Sequence, residues 1–173
     1  GIDLAEIPGD LTIDNNSDLS DLSGLDSLEE VSGTLTIANN STLYNLAGLS
    51  ALDETGDLTI EGNNTLRYLA GLSPGANPGN NLGDLVITGT LTIRDNPELL
   101  YIHEVSYGIE SIYGDLIIDN NGSLELTYPL HYIDFFNGSI TITDNAEVCQ
   151  SQAVSYANGL CSTCQTTITN NNI

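Results

Sequence analysis

Hydrophobic residues fall along this chain in two alternating rhythms. The first has a period of two, in Leu11-Thr12-Ile13, Leu35-Thr36-Ile37, Leu58-Thr59-Ile60, Leu91-Thr92-Ile93, Leu116-Ile117-Ile118 and Ile140-Thr141-Ile142, with Thr166-Thr167-Ile168 as a divergent last copy. In an extended segment the outer residues of such a triplet share one face and the middle one takes the other. The pattern therefore predicts strands with Leu and Ile inward and Thr outward. The second rhythm is a step of three: Leu19, Leu22, Leu25, Leu28 and Val31, then Leu43, Leu46, Leu49 and Leu52, and later Leu99, Ile102 and Val105. These tracts are too regularly apolar for loops. They predict short extended or 3₁₀ pieces that turn the chain between strands.

The triplets recur at intervals of 24, 23, 33, 25, 24 and 26 residues, a period of about 24 with one insertion. Such a period marks a stacked repeat, because one turn of chain cannot bury its own apolar face. Three residues after the last Ile of every triplet stands an asparagine: Asn16, Asn40, Asn63, Asn96, Asn121, Asn145 and Asn171. An amide at that corner can bond both its own turn and the equivalent Asn one repeat along, satisfying groups that a buried corner would orphan. The predicted fold class is all-β, a parallel β-solenoid of about seven coils, roughly 30 Å long at ~4.8 Å per coil.

The composite motif L-x-I-x-x-N-x-x-L-x-x-L-x-G-L-x-x-L-x-x-V-x-G resembles the receptor L-domain, over roughly residues 9–145. That domain is a right-handed β-helix related to leucine-rich repeats, found in growth-factor receptor ectodomains, fungal cell-wall proteins and bacterial surface proteins. The ordinary leucine-rich repeat is similar around the Asn but differs in the step-of-three tract. The resemblance implies a right-handed winding and a secreted or cell-surface setting; function does not travel with a fold.

Two departures interrupt the repeat within a predicted solenoid of residues 1–145. An irregular loop, residues 73–84 (SPGANPGNNLGD), precedes a doubled strand, DLVITGTLTI. Such a protrusion is either a binding loop or a tolerated surface insertion. Beyond Leu100 aromatics thicken, and Tyr101, Tyr107, Tyr113, Tyr128 and Tyr132 form a candidate surface for a glycan or protein, half-buried core positions being the alternative. Residues 146–173 are expected to form a cap and the last coil, opening with a helix over about 146–158. Cys149 is expected to pair with Cys161 or Cys164, as a staple on that cap, and the third cysteine with another chain. Similar Cys-containing ends occur in bacterial relatives of the L-domain. Cys161-x-x-Cys164 lacks the basic neighbour, second C-x-x-C or nearby His of a redox or zinc site.

Charge narrows the partners. Of 173 residues 24 are acidic and only Arg67 and Arg94 are basic, a net charge of −22. Nucleic acid and anionic membrane surfaces, which need a basic patch, are excluded. The 40% of hydrophobic residues separates the chain from disordered acidic tails, and no apolar run approaches the roughly 20 residues of a membrane helix. A start at Gly1 and cysteines clustered near one end fit a mature secreted product whose export signal has been removed.

No chemistry-bearing motif appears. His103 and His131 stand seven and ten residues beyond their corner asparagines, so they form no column. There is neither G-x-S-x-G nor a phosphate loop, and the expectation is no enzyme and no catalytic or metal residues. Before the strands stand Asp10, Thr34, Asp57, Thr90, Asp115 and Ser139, and after them Asp14, Ala38, Glu61, Arg94, Asp119 and Thr143. Alternation of carboxylates with neutral residues limits repulsion between coils. Weak Ca²⁺ bridging is conceivable there, although no D-x-D-x-D-G loop exists and no cofactor is expected. These charges also spoil the flat Thr face that ice binding requires. Among the sequons, Asn15, Asn39 and Asn137 are candidate glycosylation sites, since Asn40, Asn63 and Asn121 belong to the corner column.

Both solenoid edges are expected to be open, GIDLAEIP offering no capping helix and TTITNNNI reading as strand. The function expected is that of a self-associating subunit of an extracellular fibre or surface layer, in a homo-oligomer or filament. The alternative is a stand-alone adhesion module that binds glycan or peptide through residues 73–84 and the Tyr-rich coils.

Overall fold

The computed structural model describes residues 5–72, 85–126 and 133–171. Its elements, in chain order, are β1 (Glu6–Ile7), β2 (Leu11–Asp14), β3 (Glu30–Val31), β4 (Leu35–Ala38), β5 (Glu54–Thr55), β6 (Leu58–Glu61), β7 (Leu85–Ile87), β8 (Leu91–Arg94), α1 (His103–Gly108), β9 (Ile109–Ile112), β10 (Leu116–Asp119), β11 (Phe135–Phe136), β12 (Ile140–Thr143), α2 (Gln150–Leu160) and β13 (Thr166–Thr169). Single 3₁₀ turns lie at Ser23–Leu25 and Ala47–Leu49.

The strands form two parallel sheets. Seven run in the order β13-β12-β10-β8-β6-β4-β2 and six in the order β1-β3-β5-β7-β9-β11. Register in the larger sheet follows the triplets. Leu11, Leu35, Leu58, Leu91, Leu116 and Ile140 stand side by side, as do Ile13, Ile37, Ile60, Ile93, Ile118, Ile142 and Ile168. From β4 to β12 these side chains are fully buried, whereas Thr36, Thr59, Thr92 and Thr141 between them are half-exposed. Each buried Leu or Ile contributes roughly 1.5–3 kcal/mol, so the period of two in the sequence is the burial pattern of this sheet.

The step of three has a backbone cause. Leu25 N–H donates to Leu22 C=O and Leu28 N–H to Leu25 C=O, and the same i to i+3 bonds link Leu46, Leu49 and Leu52, Leu69 and Leu72, and Ile102 and Val105. Residues three apart then fall on one side of the chain, where they join a single continuous core. The tracts end in the short strands of the smaller sheet, an element the sequence pattern did not separate. The expected doubled strand accordingly divides, β7 entering one sheet and β8 the other.

A glycine column makes the tight passage between sheets. Gly33 N–H donates to Gly9 C=O, and the contact repeats from Gly56 to Gly33, Gly89 to Gly56 and Gly114 to Gly89 at 2.8–3.1 Å. A Cβ on Gly114 would come within 2.6 Å of the Gly89 backbone, and one on Gly138 within 2.0 Å of the Gly114 oxygen. Here glycine serves for its lack of bulk.

The C-terminal region departs from expectation. The helix spans Gln150–Leu160, later than expected, and buries Ala153, Tyr156 and Ala157 in the core. The disulfide joins Cys161 to Cys164, and Cys149 is free, contrary to the expected pairing of Cys149. The reason is geometric. Cys149 and Cys161 flank opposite ends of the eleven-residue α2, which holds them ~16 Å apart at 1.5 Å per residue, whereas a disulfide needs Cα atoms within about 7 Å. Cys161 and Cys164 have Cα atoms 5.5 Å apart.

Candidate functional site

The corner asparagines form one continuous file. Asn40 N–H and Nδ2 donate to Asn63 Oδ1 at 3.0 and 3.3 Å, and Asn63 does the same to Asn96, Asn96 to Asn121, and Asn121 to Asn145. Asn16 opens the file on Asn40, and Asn145 passes it to Asn171. Each Nδ2 from Asn40 onward also reaches back to the Ile carbonyl of the preceding strand, as Asn96 does to Ile60 at 3.0 Å. Asn40, Asn63, Asn96, Asn121 and Asn145 are completely buried. Their amides are thus occupied, which keeps the sequons at Asn40, Asn63 and Asn121 from carrying glycans.

The residue before each rung completes the corner. Asn15, Asn39, Gly62, Asp95, Asn120, Asp144 and Asn170 all have φ between 51° and 65°. Asn, Asp and Gly are the types that tolerate this left-handed conformation. The signal, one of three residue types before every ladder Asn, is present in the sequence. Asn15 and Asn39 are exposed here with amides on the Asp14 carboxylate at 2.6 and 2.9 Å, and Asn137 is exposed after β11.

The file ends differently at its two extremities. Among the described residues nothing donates to Asn16 Oδ1. At the far end Gln150 Nε2 donates to Ile168 C=O at 2.7 Å, the carbonyl position that takes an Asn Nδ2 in every earlier repeat. A helix residue thereby substitutes for the missing rung.

The acidic positions before the strands have a structural task. Asp10 Oδ1 accepts the N–H of Thr34, Asp57 that of Thr90 and Asp115 that of Ser139, at 2.7–2.8 Å. The alternation of Asp with Thr or Ser therefore pairs each carboxylate with a donor in the next repeat. The Ser139 backbone N–H, and then its hydroxyl, hold the Asp115 carboxyl below the usual carboxylate range. Arg94 bridges to Glu61 at 2.7 Å across the same face. Among the described residues no group of three or more His, Cys, Asp or Glu is arranged to hold a metal ion.

Aromatics gather in two places. Tyr44 and Tyr68 meet edge to face with ring centroids 5.6 Å apart; Tyr68 pairs with Tyr101 through a parallel backbone bridge, and the Tyr101 ring lies 6.2 Å from His103. Beneath them the backbone is itself stacked: Arg67 N–H donates to Tyr44 C=O and Leu100 N–H to Arg67 C=O, both at 3.1 Å. Arg67 pairs with Glu98 at 2.8 Å. The hydrogen bond with Tyr44 pushes the Tyr68 phenol above its ordinary range. The second place is Tyr113 against Phe135, centroids 4.7 Å apart, both exposed.

Of the expected tyrosine surface, Tyr101 lies in the first cluster, Tyr113 in the second, and Tyr107 is exposed on α1. Tyr128, Tyr132, His131 and the 73–84 loop lie outside the described residues. Tyr44, Arg67 and Tyr68 do not stand out where aromatics are followed along the chain. Measured from the ladder, Tyr44 and Arg67 stand four residues beyond their Asn, and Tyr68 and Tyr101 five, which sets them on one ridge.

Cys149 is partly exposed at the start of α2, where the Ser151 hydroxyl, and then the Gln152 backbone N–H, hold its thiol below the ordinary range. No helix among the described residues is long and apolar enough to cross a membrane. No family model, curated protein or solved structure matches this chain.

Proposed function

We propose that this protein is a non-enzymatic, extracellular structural protein whose copies join head to tail into a surface fibre or layer. In this reading the two sheets are walls of one right-handed β-solenoid of about seven coils, akin to the receptor L-domain. From β1 to β12 successive strands alternate between the sheets, each stepping one place along its own, which supports the winding.

One observation carries the assembly reading: among the described residues nothing lies over the first repeat. Ile7, Leu11, Ile13, Leu19 and Leu25 are only partly buried, whereas their counterparts Val31, Leu35, Ile37, Leu43 and Leu49 are 0% exposed. Among the described residues β2 has a neighbour on one side only, and so presents an open edge of backbone groups on the other. At the opposite end β13 reads Thr-Thr-Ile-Thr and carries no charge. Setting β13 of one copy on β2 of the next continues the Thr and Ile columns and places hydroxyls against Asp14, with Gln150 keeping the Ile168 carbonyl that an incoming Asn16 would otherwise take. Two first repeats set face to face would instead oppose Asp10 and Asp14 to their like. A head-to-tail join that stacks copies along one axis leaves an open edge at each end, and so propagates as a filament.

Light scattering and negative-stain imaging over a concentration series test the proposal. Filaments or arrays that grow with concentration are expected, and Ile13→Asp should abolish them. A monodisperse monomer at every concentration and salt level would overturn the reading.

A further inference from the structure

We infer that the ridge of Tyr44, Tyr68 and Tyr101 is a binding strip for a neutral, β-linked polysaccharide. This site is separate from the first-repeat edge, and the inference holds whether or not the protein assembles.

Three features of the ridge select that ligand. First, three phenol rings on successive repeats are fixed by a hydrogen-bonded backbone, Tyr44 C=O taking Arg67 N–H and Tyr68 bridging to Tyr101. Stacked repeats lie ~4.8 Å apart, close to the length of one sugar unit in an extended equatorially linked chain. Such chains present flat, apolar C–H faces, which pack on tyrosine rings while the phenol oxygens meet hydroxyls. Tyr44 meets Tyr68 edge to face, at 68° between planes, so one ring of the pair can lie flat on a sugar face while the other meets the chain edge-on. Rings already held in place lose little conformational freedom on binding.

Second, the ridge is locally balanced in charge on a molecule of net charge −22. Arg67, one of two basic residues, is matched by Glu98 at 2.8 Å. Both are about half exposed, with side-chain accessibilities of 45% and 50%, and so supply donors and acceptors to sugar hydroxyls without selecting an ion. The overall charge repels anionic polymers.

Third, Tyr44 is 43% exposed and lies on a ridge. Such a strip is open at both ends and accepts an interior stretch of a polymer, where an enclosed pocket would select a free monosaccharide.

Affinity electrophoresis of the whole protein in native gels tests the inference. Gels contain hydroxyethyl cellulose or xyloglucan, with alginate as an anionic comparison, and mobility is read relative to polymer-free gel so that self-association, which slows both, does not mimic binding. Retardation is expected in a neutral polymer and not in alginate. Tyr44→Ala and Tyr68→Ala should each weaken it about tenfold, Tyr44→Phe, which keeps the ring and loses the hydroxyl, should weaken it less than Tyr44→Ala, and Tyr113→Ala at the other aromatic cluster should preserve it. Should Tyr68→Ala fail to fold, the more exposed Tyr44→Ala carries the test. No retardation in either neutral polymer would overturn the proposal. So would retardation that Tyr44→Ala leaves unchanged, or equal retardation in alginate.

Discussion

Truncating Asn96 to alanine removes the middle rung of the amide file, and the structure gives the size of the effect. The Asn96 side chain makes five hydrogen bonds: Nδ2 donates to Ile60 C=O (3.0 Å), Arg94 C=O (2.8 Å) and Asn121 Oδ1 (3.3 Å), while Oδ1 accepts Asn63 N–H (3.0 Å) and Asn63 Nδ2 (3.3 Å). Some of these partners keep other bonds. Asn121 Oδ1 still takes the Asn96 backbone N–H, and Asn63 Nδ2 still reaches Ile37 C=O. The Asn63 backbone N–H and the Ile60 carbonyl lose their side-chain partner at a buried corner, at about 1–3 kcal/mol for each unsatisfied group. With the small void left by the amide, the loss sums to about 3–5 kcal/mol. That corresponds to a fall in Tm of roughly 6–20 °C for a chain of this size. Asn16→Ala is the internal control, because Asn16 is exposed and water replaces what it loses; its cost should be about 1 kcal/mol or less. Thermal and urea unfolding followed by circular dichroism measures both. If Asn96→Ala costs no more than Asn16→Ala, the buried file is not holding the repeats together and the reasoning fails.

Other consequences are equally open to measurement. Gly114→Ala should destabilise by about 1–3 kcal/mol through collision with the Gly89 backbone, while Gly24→Ala, with nothing within 4 Å of the added carbon, should be neutral or slightly stabilising in the same melts. The depressed carboxyl of Asp115 contributes stability that is fully present above its unfolded-state value and is lost as pH falls through the lower folded value. Tm measured through the acid range should therefore fall less steeply in Asp115→Asn, which keeps an acceptor but does not titrate; an unaltered slope would refute this. Iodoacetamide without reductant should label one cysteine, Cys149, and mapping by mass spectrometry should show Cys161 and Cys164 joined; a Cys149 disulfide would contradict the structure.

The larger sheet was legible because each of its strands writes its own burial, Leu and Ile inward and Thr outward. The ladder was legible because an Asn recurs at a constant offset even across the 33-residue interval. The smaller sheet was not. Its strands are only two to four residues long, and Glu30–Val31 or Glu54–Thr55 is too brief to show a period of two. The left-handed corner was written plainly in the Asn, Asp or Gly before each rung, but it emerges only when the repeats are aligned. Cysteine pairing escaped although a helix was expected: placed over about 146–158 it took in Cys149, whereas the helix at Gln150–Leu160 sets Cys149 and Cys161 at its two ends. The aromatic ridge escaped for a related cause: Tyr44, Tyr68 and Tyr101 are far apart in sequence and become neighbours only once repeats are stacked in register.

Hydrogen–deuterium exchange resolved by NMR at the asparagine amides tests the stacked file most directly. Backbone N–H groups of Asn63, Asn96 and Asn121 should be among the slowest in the protein, with their side-chain NH₂ protons also protected, and Asn16 should exchange fast. Exchange at Asn63, Asn96 and Asn121 as rapid as at Asn16 would show that these amides face water instead of one another, contradicting the fold and the assembly built on it.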